Sequence, residues 1–181
     1  MSINIYKVIV GGDGGVGKTT LTQRFLTGEF IADTKMTLGV GFFIHKVNIK
    51  DEEVTLQIWD LGGQEQFQSM GVFDKYVQGA NGGILVFDLT HMKSFLSLSK
   101  WKELISNKSE NVQLILVGTK ADLVDEIKIT ESMITELIEE LNINDYIETS
   151  SLTGKNVENV FKEIAKEIYN ENMKKVKDIL K

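Results

Sequence analysis

The chain of 181 residues has no cysteine, no proline and, among its 20 cationic residues, a single arginine, Arg24. Each scarcity excludes something. Without cysteine there is no disulfide, no thiol chemistry and no lipid attached through sulfur, a C-terminal prenyl group included. Ser2 excludes N-myristoylation of the sequence as it stands. Without proline, no prolyl isomerisation gates folding or switching. The first residues lack the basic-then-apolar pattern of a secretory leader, and no apolar run nears the roughly 18 residues of a membrane span. A net charge of −6 argues against the broad basic face that DNA or RNA needs. These absences lead to the expectation of a cytoplasmic chain with no nucleic-acid partner. Its length suits one domain over residues 1–181, with a possible extended helical tail over 170–181.

What is present starts with a glycine-rich loop. Residues 12–19 read Gly-Asp-Gly-Gly-Val-Gly-Lys-Thr, the spacing of a phosphate-binding loop. The loop sits between an apolar, β-branched run at 5–10 and a segment whose Leu21, Phe25 and Leu26 repeat at helical spacing. Glycines let successive backbone N–H groups close around phosphate oxygens, and the following helix adds its positive dipole end. Lys18 can reach the β- and γ-phosphates as a point charge. The Thr19 hydroxyl is a hard oxygen ligand suited to Mg²⁺.

Strand-like runs recur at 5–10, 41–49, 54–60, 83–89, 112–118 and 146–149. Helical patterns cover 18–27, 68–78, 93–107, 131–141 and 156–180, with N-caps expected at or near Thr90, Thr130 and Thr153. The runs 84–87 and 114–117 are apolar at every position, as in strands covered on both faces. The pattern predicts an α/β domain with a six-stranded, mostly parallel sheet and helices on both faces. Only residues 50–53 separate the second and third runs, too few for a parallel crossover, so that pair is expected to be an antiparallel hairpin. Ligand chemistry then collects at the carboxyl ends of the parallel strands.

Further motifs follow in order. Residues 59–65 read Trp-Asp-Leu-Gly-Gly-Gln-Glu, 118–122 read Gly-Thr-Lys-Ala-Asp, and 148–154 read Glu-Thr-Ser-Ser-Leu-Thr-Gly. With the glycine-rich loop, this ordered set closely resembles the small GTPases of the Ras superfamily, from Ile5 to about Ile168. Phe-Asp-Leu-Thr at 87–90 and Thr-Gly-Lys-Asn-Val-Glu-Asn-Val-Phe at 153–161 resemble the Rab branch, while Gly-Gly-Gln at 62–64 is more Arf-like. The resemblance implies the phosphate-loop GTPase fold and a switch that binds GTP or GDP with Mg²⁺ and slowly hydrolyses GTP.

The resemblance also implies the site. Asp13, Gly14, Gly15, Val16, Gly17, Lys18, Thr19 and Thr20 wrap the phosphates. Asp122 accepts from the guanine N1–H and exocyclic amine, the Lys120 stem lies over the base, the Ser151 N–H donates to O6, and Phe30 packs against the base edge. Thr119, Leu123, Ser150 and Leu152 complete the base loops. Thr119 stands where asparagine is commoner, Ser151 where alanine is, and Leu152 where lysine is. Thr19 and Thr37 ligate the metal, and Asp60 holds it through water. The Gly63 N–H contacts the γ-phosphate, and Gln64, with Lys18 and Thr37, serves hydrolysis by orienting the attacking water.

Arg24 lies six positions past Lys18 on the helix, poorly placed for the γ-phosphate. The transition-state arginine of such enzymes is therefore expected from an activating partner, with exchange and effector proteins as further partners and a monomeric chain. Phe42 and Trp59 match aromatic positions that Rab proteins present to effectors, or equally are hairpin residues packing the sheet. Beyond the face of Val157, Val160, Phe161, Ile164 and Ile168, residues Met173, Val176, Ile179 and Leu180 alternate with lysines. That tail is an extended helix end or a weak contact for an anionic membrane, the former preferred. Two other readings remain: a phosphate-loop ATPase or kinase, and a guanine-nucleotide-binding interaction protein with little turnover.

Overall fold

A computed structural model describes residues 4–32, 36–63, 73–109, 111–143 and 145–180. Its elements are β1 (Asn4–Gly11), α1 (Lys18–Thr27), β2 (Val40–Ile49), β3 (Glu52–Leu61), α2 (Phe73–Val77), β4 (Gly82–Asp88), α3 (Met92–Leu96), α4 (Leu98–Ser106), β5 (Gln113–Thr119), a 3₁₀ turn (Val124–Glu126), α5 (Glu131–Leu141), β6 (Asp145–Glu148) and α6 (Val157–Ile179). The strands form one sheet in the order β2-β3-β1-β4-β5-β6. Among the described residues only β2 and β3 pair antiparallel, as the short connection requires. The other four pairings are parallel.

Alternate strand residues point to opposite faces, and each face is covered. Val8, Val10, Ile84, Val86, Ile115 and Val117 meet Leu21 of α1 and Val160, Phe161 and Ile164 of α6. On the other side Ile9, Leu85, Phe87 and Leu116 meet Trp101 and Ile105 of α4 and Ile134 and Leu137 of α5. β4 is buried along its whole length, which explains its unbroken apolar run. Burying one such large side chain stabilises the fold by about 1.5–3 kcal/mol. Phe25 and Phe161 stack with ring centroids 4.0 Å apart, fastening α1 to α6. The expected apolar face of α6 is buried in full, from Val157 to Ile168.

The register positions the chemistry. Val10 pairs with Asp60 and Asp88 pairs with Thr119, so the ends of β1, β3, β4 and β5 share one rim.

Local departures have local causes. The single helix expected over 93–107 is two, α3 and α4, divided at Ser97. The Ser97 hydroxyl donates to the Ser94 carbonyl and the Ser94 hydroxyl to that of His91, so both serines compete for backbone acceptors inside the segment. Thr90 does not cap this segment. His91 precedes α3 as its cap residue, and the Thr90 hydroxyl turns back to Asp88. Thr130 does cap α5, accepting from the Met133 N–H at 3.3 Å. α6 starts after Asn156 in the left-handed conformation, leaving Thr153 in the preceding turn. Of the helix expected over 68–78, Phe73–Val77 is helical, and 68–72 lie outside the described residues.

α6 continues three turns past its last buried residue, Tyr169, and Ile179 and Leu180 are more than four-fifths exposed. Among the described residues no helix is long and apolar enough to cross a membrane.

Candidate nucleotide site

A cleft of about 650 Å³ opens along the rim. One end is lined by Gly14, Gly15, Gly17, Lys18, Thr19 and Thr20, the other by Thr119, Lys120, Asp122, Leu123, Ser151 and Leu152. Phe30, Thr37 and Gly63 also line it. Asp13, Val16, Asp60 and Ser150 lie behind this lining and support it. Gln64 lies outside the described residues.

At the first end, Gly12 has φ +150°, and a Cβ there would meet the Val86 carbonyl oxygen at 2.2 Å. Only glycine lets the loop start so close to β4. Lys18, the first residue of α1, is 5% exposed, and its ammonium donates to the Gly12 and Asp13 carbonyls at 2.7 Å each. Burial lowers its pKa to about 8, against the opposing pull of the Asp60 and Asp13 charges. A buried cation hydrogen-bonded to neutral carbonyls, beside a helix N-terminus, is an electrostatic environment for an anion.

Asp13 puts a carboxylate into this anion-binding loop. The Trp101 indole N–H, on α4, donates to Asp13 Oδ1 at 2.9 Å and holds that charge against the helix. No sequence pattern marks Trp101, because its partner is 88 positions away.

Three oxygens converge beside Lys18. The Thr19 hydroxyl donates to Asp60 Oδ2 at 2.6 Å and lies 2.6 Å from the Thr37 hydroxyl. Because the single Thr19 proton is committed to the carboxylate, Thr37 is the donor of the second bond. Asp60 is 1% exposed and its Oδ1 is buried without a hydrogen-bond partner. Burial raises the Asp60 pKa, opposed by the Thr19 bond and the Lys18 charge. Hard oxygens around an orphaned buried carboxylate atom fit Mg²⁺.

Gly62 and Gly63 close this end. The Gly62 N–H donates to the Gly39 carbonyl at 2.8 Å. A Cβ on Gly62 would stand 2.8 Å from the Thr37 carbonyl oxygen, and one on Gly63 only 2.3 Å from the Asp13 carbonyl carbon and the Gly14 nitrogen. The pair of glycines is thus what lets β3 end against both the phosphate loop and the segment that carries Thr37.

The other end is built from side chains holding side chains. The Ser150 hydroxyl, 1% exposed, donates to Asp122 Oδ1 at 2.6 Å and accepts from the Thr153 N–H. The Thr119 hydroxyl reaches the Val16 carbonyl at 2.6 Å and the Phe87 carbonyl at 3.0 Å, joining the phosphate loop to β4 and β5. Arg24 takes no part in the cleft; it donates to the Gly28 carbonyl at the end of α1 and flanks Gly154. On the hairpin, Phe42 and Trp59 meet edge to face with ring centroids 4.8 Å apart, and Phe42 is 47% exposed, so the pair packs on the sheet with one ring open to solvent.

A mostly parallel sheet ending in a phosphate-loop sequence, an oxygen corner and a second end bearing the Asp122 carboxylate defines the class of phosphate-loop proteins. Comparison with known proteins narrows the class. Residues 7–170 match the model of the Ras family. The chain is 37% identical over 176 residues to Ras-related protein RABA1g of Arabidopsis thaliana, spanning 97% of this chain and 80% of that protein. It is 38% identical over 173 residues to RABA5a of the same plant, covering 95% and 77%. To Rab11B of Nicotiana tabacum it is 36% identical over 166 residues, covering 91% and 75%. The chain belongs to the Ras family and is a Rab-like small GTPase, a guanine-nucleotide switch that hydrolyses GTP.

Proposed function

We propose that this cleft is where the switch operates, with the phosphates at the Gly14–Lys18 end and guanine between Lys120, Asp122 and Phe30. The observation that carries this reading is the convergence of Lys18, Thr19 and Asp122 along one cleft, with Asp60 bonded to Thr19 behind it. Asp122, with Oδ1 held by Ser150, presents Oδ2 to the base N1–H and amino group. Ser151 offers its backbone N–H to O6. Leu123 and Leu152 flank this end, and Thr119 braces it against Val16.

Thr19 and Thr37 would hold Mg²⁺ and Asp60 would hold it through water; bound there, the ion would neutralise phosphate charge. Gly63 then lies where its N–H meets the terminal phosphate, and Gln64 orients the attacking water. Loss of that phosphate frees the segments carrying Thr37 and Gly63, which is the basis of switching. No arginine of the chain reaches the phosphates, so intrinsic turnover is of the order of 10⁻⁴ to 10⁻³ s⁻¹ and rises when a partner supplies a cation. The domain spans residues 1–181, acts as a cytoplasmic monomer and works through activating, exchange and effector proteins rather than through nucleic acid.

The test is to denature the purified protein and identify what it releases, then to follow single-turnover hydrolysis of bound GTP. Guanine nucleotide near one per chain, with GDP formed from GTP, supports the reading. Adenine nucleotide, or no nucleotide and no uptake of GTP with Mg²⁺, defeats it. Bound GTP that is never hydrolysed would favour the interaction protein with little turnover.

A further inference from the structure

Asp88 ends β4 with its side chain 7% exposed, and no role in the nucleotide site has yet fallen to it. Its Oδ1 accepts from both the N–H and the hydroxyl of Thr90, at 2.8 and 2.7 Å. Its own N–H donates to the Ser94 hydroxyl at 3.1 Å. The carboxylate is therefore fixed in orientation. Its other oxygen, Oδ2, faces the Lys120 ammonium at 2.6 Å. Burial alone would raise the Asp88 pKa, but the bonds from Lys120 and Thr90 outweigh it and hold the group ionised, below the ordinary carboxylate value.

Lysine has a flexible four-carbon stem that visits many rotamers, so it makes a poor flat surface unless both ends are tied. Both ends of Lys120 are tied. Its backbone sits in the left-handed region at φ +62°, and its ammonium bridges Asp88 Oδ2 and the Gly15 carbonyl of the phosphate loop, the latter at 3.2 Å. The stem is thus stretched from the end of β5 toward the phosphate loop along the cleft wall.

We infer that Asp88 is a positioning residue for nucleotide retention: by anchoring the Lys120 ammonium it turns a mobile side chain into the rigid face against which the base rests. This inference rests on the guanine reading of the cleft. Asparagine at 88 keeps the acceptor for Thr90 but faces Lys120 with an amide, removing the charge that holds the ammonium.

The experiment is a double-mutant cycle on the release of fluorescent GDP from the Mg²⁺-loaded full chain, comparing the parent, Asp88→Asn, Lys120→Met and the double variant. Asp88→Asn is expected to speed release roughly tenfold, as loss of one charge-assisted hydrogen bond does. In the Lys120→Met background the same change is expected to alter release less than about twofold, because its object is gone. A purely structural Asp88 would give the same factor in both backgrounds, and that result, or no effect of Asp88→Asn in the parent, overturns the inference while leaving the base site standing. If Lys120→Met itself leaves release unchanged, the base-site reading falls and the inference with it. Should Asp88→Asn not fold, the cycle run with Thr90→Val, which keeps the charge but loosens its orientation, decides between the same outcomes.

Discussion

The two ends of the cleft are held by different means. At the phosphate end the contacts run largely through the main chain, beside the side-chain bonds of Thr19 to Asp60 and Trp101 to Asp13: Lys18 bonds two carbonyls, Gly62 bonds the Gly39 carbonyl, and Gly63 approaches Asp13 and Gly14 too closely for any side chain. At the base end they are side chain on side chain: Ser150 on Asp122, and Thr90 on Asp88 on Lys120. Backbone geometry depends on the whole sheet, whereas a side-chain relay can be cut at one atom. The phosphate end should therefore respond to substitution with large losses, and the base end with graded changes of affinity and specificity.

Four substitutions or conditions put that contrast under strain. Lys18→Ala removes the buried cation and should weaken nucleotide binding by about 10²-fold or more, measured by titration with fluorescent GDP; a loss under tenfold would place the anion site elsewhere. Gly63→Ala forces the backbone apart at its tightest approach and should slow single-turnover GTP hydrolysis by on the order of 10²-fold, as displacements near 1 Å do. Asp122→Asn should lower GTP affinity about 10- to 100-fold and shift preference toward xanthine nucleotide; equal affinity of parent and variant for GTP would remove Asp122 from base recognition. The smallest effect concerns acid. The depressed Asp88 pKa means that its contribution is intact above about pH 4 and is lost as the pH falls through the folded-state value. Because Lys120 is partly exposed, the contribution is under about 1 kcal/mol. Parent and Asp88→Asn should accordingly differ in denaturant midpoint at neutral pH and converge in acid.

The same contrast decides what could be read without coordinates. Motifs carried by consecutive residues, such as the loop from Gly12 to Thr19, place themselves, since a strand must precede them and a helix follow. The hairpin of β2 and β3 followed from a connection too short to cross over. Partnerships across the sequence were not legible. Asp88 stood in a recognisable Phe-Asp-Leu-Thr stretch, but that it reaches Lys120 depends on the parallel register of β4 with β5. Trp101 belonged to an ordinary amphipathic stripe, and only the packing of α4 beneath Gly11 brings its N–H to Asp13. The division between α3 and α4 escaped because hydrophobic spacing runs through it unbroken, while the serine hydroxyls that cause it leave no periodic trace.

One of these cross-sequence contacts bears on the speed of exchange. The Thr119 hydroxyl carries a single proton, yet two carbonyls, of Val16 and Phe87, stand within its reach. Together with the Trp101 bond to Asp13, it braces the phosphate loop from two sides using groups that belong to the protein alone. A cradle already frozen gives up little conformational freedom when a ligand arrives, so more of the interaction energy remains as affinity. By the same reasoning the cradle is a poor exit, and nucleotide is expected to leave past the opposite side of the cleft, which Phe30 and Met36 line with exposed side chains.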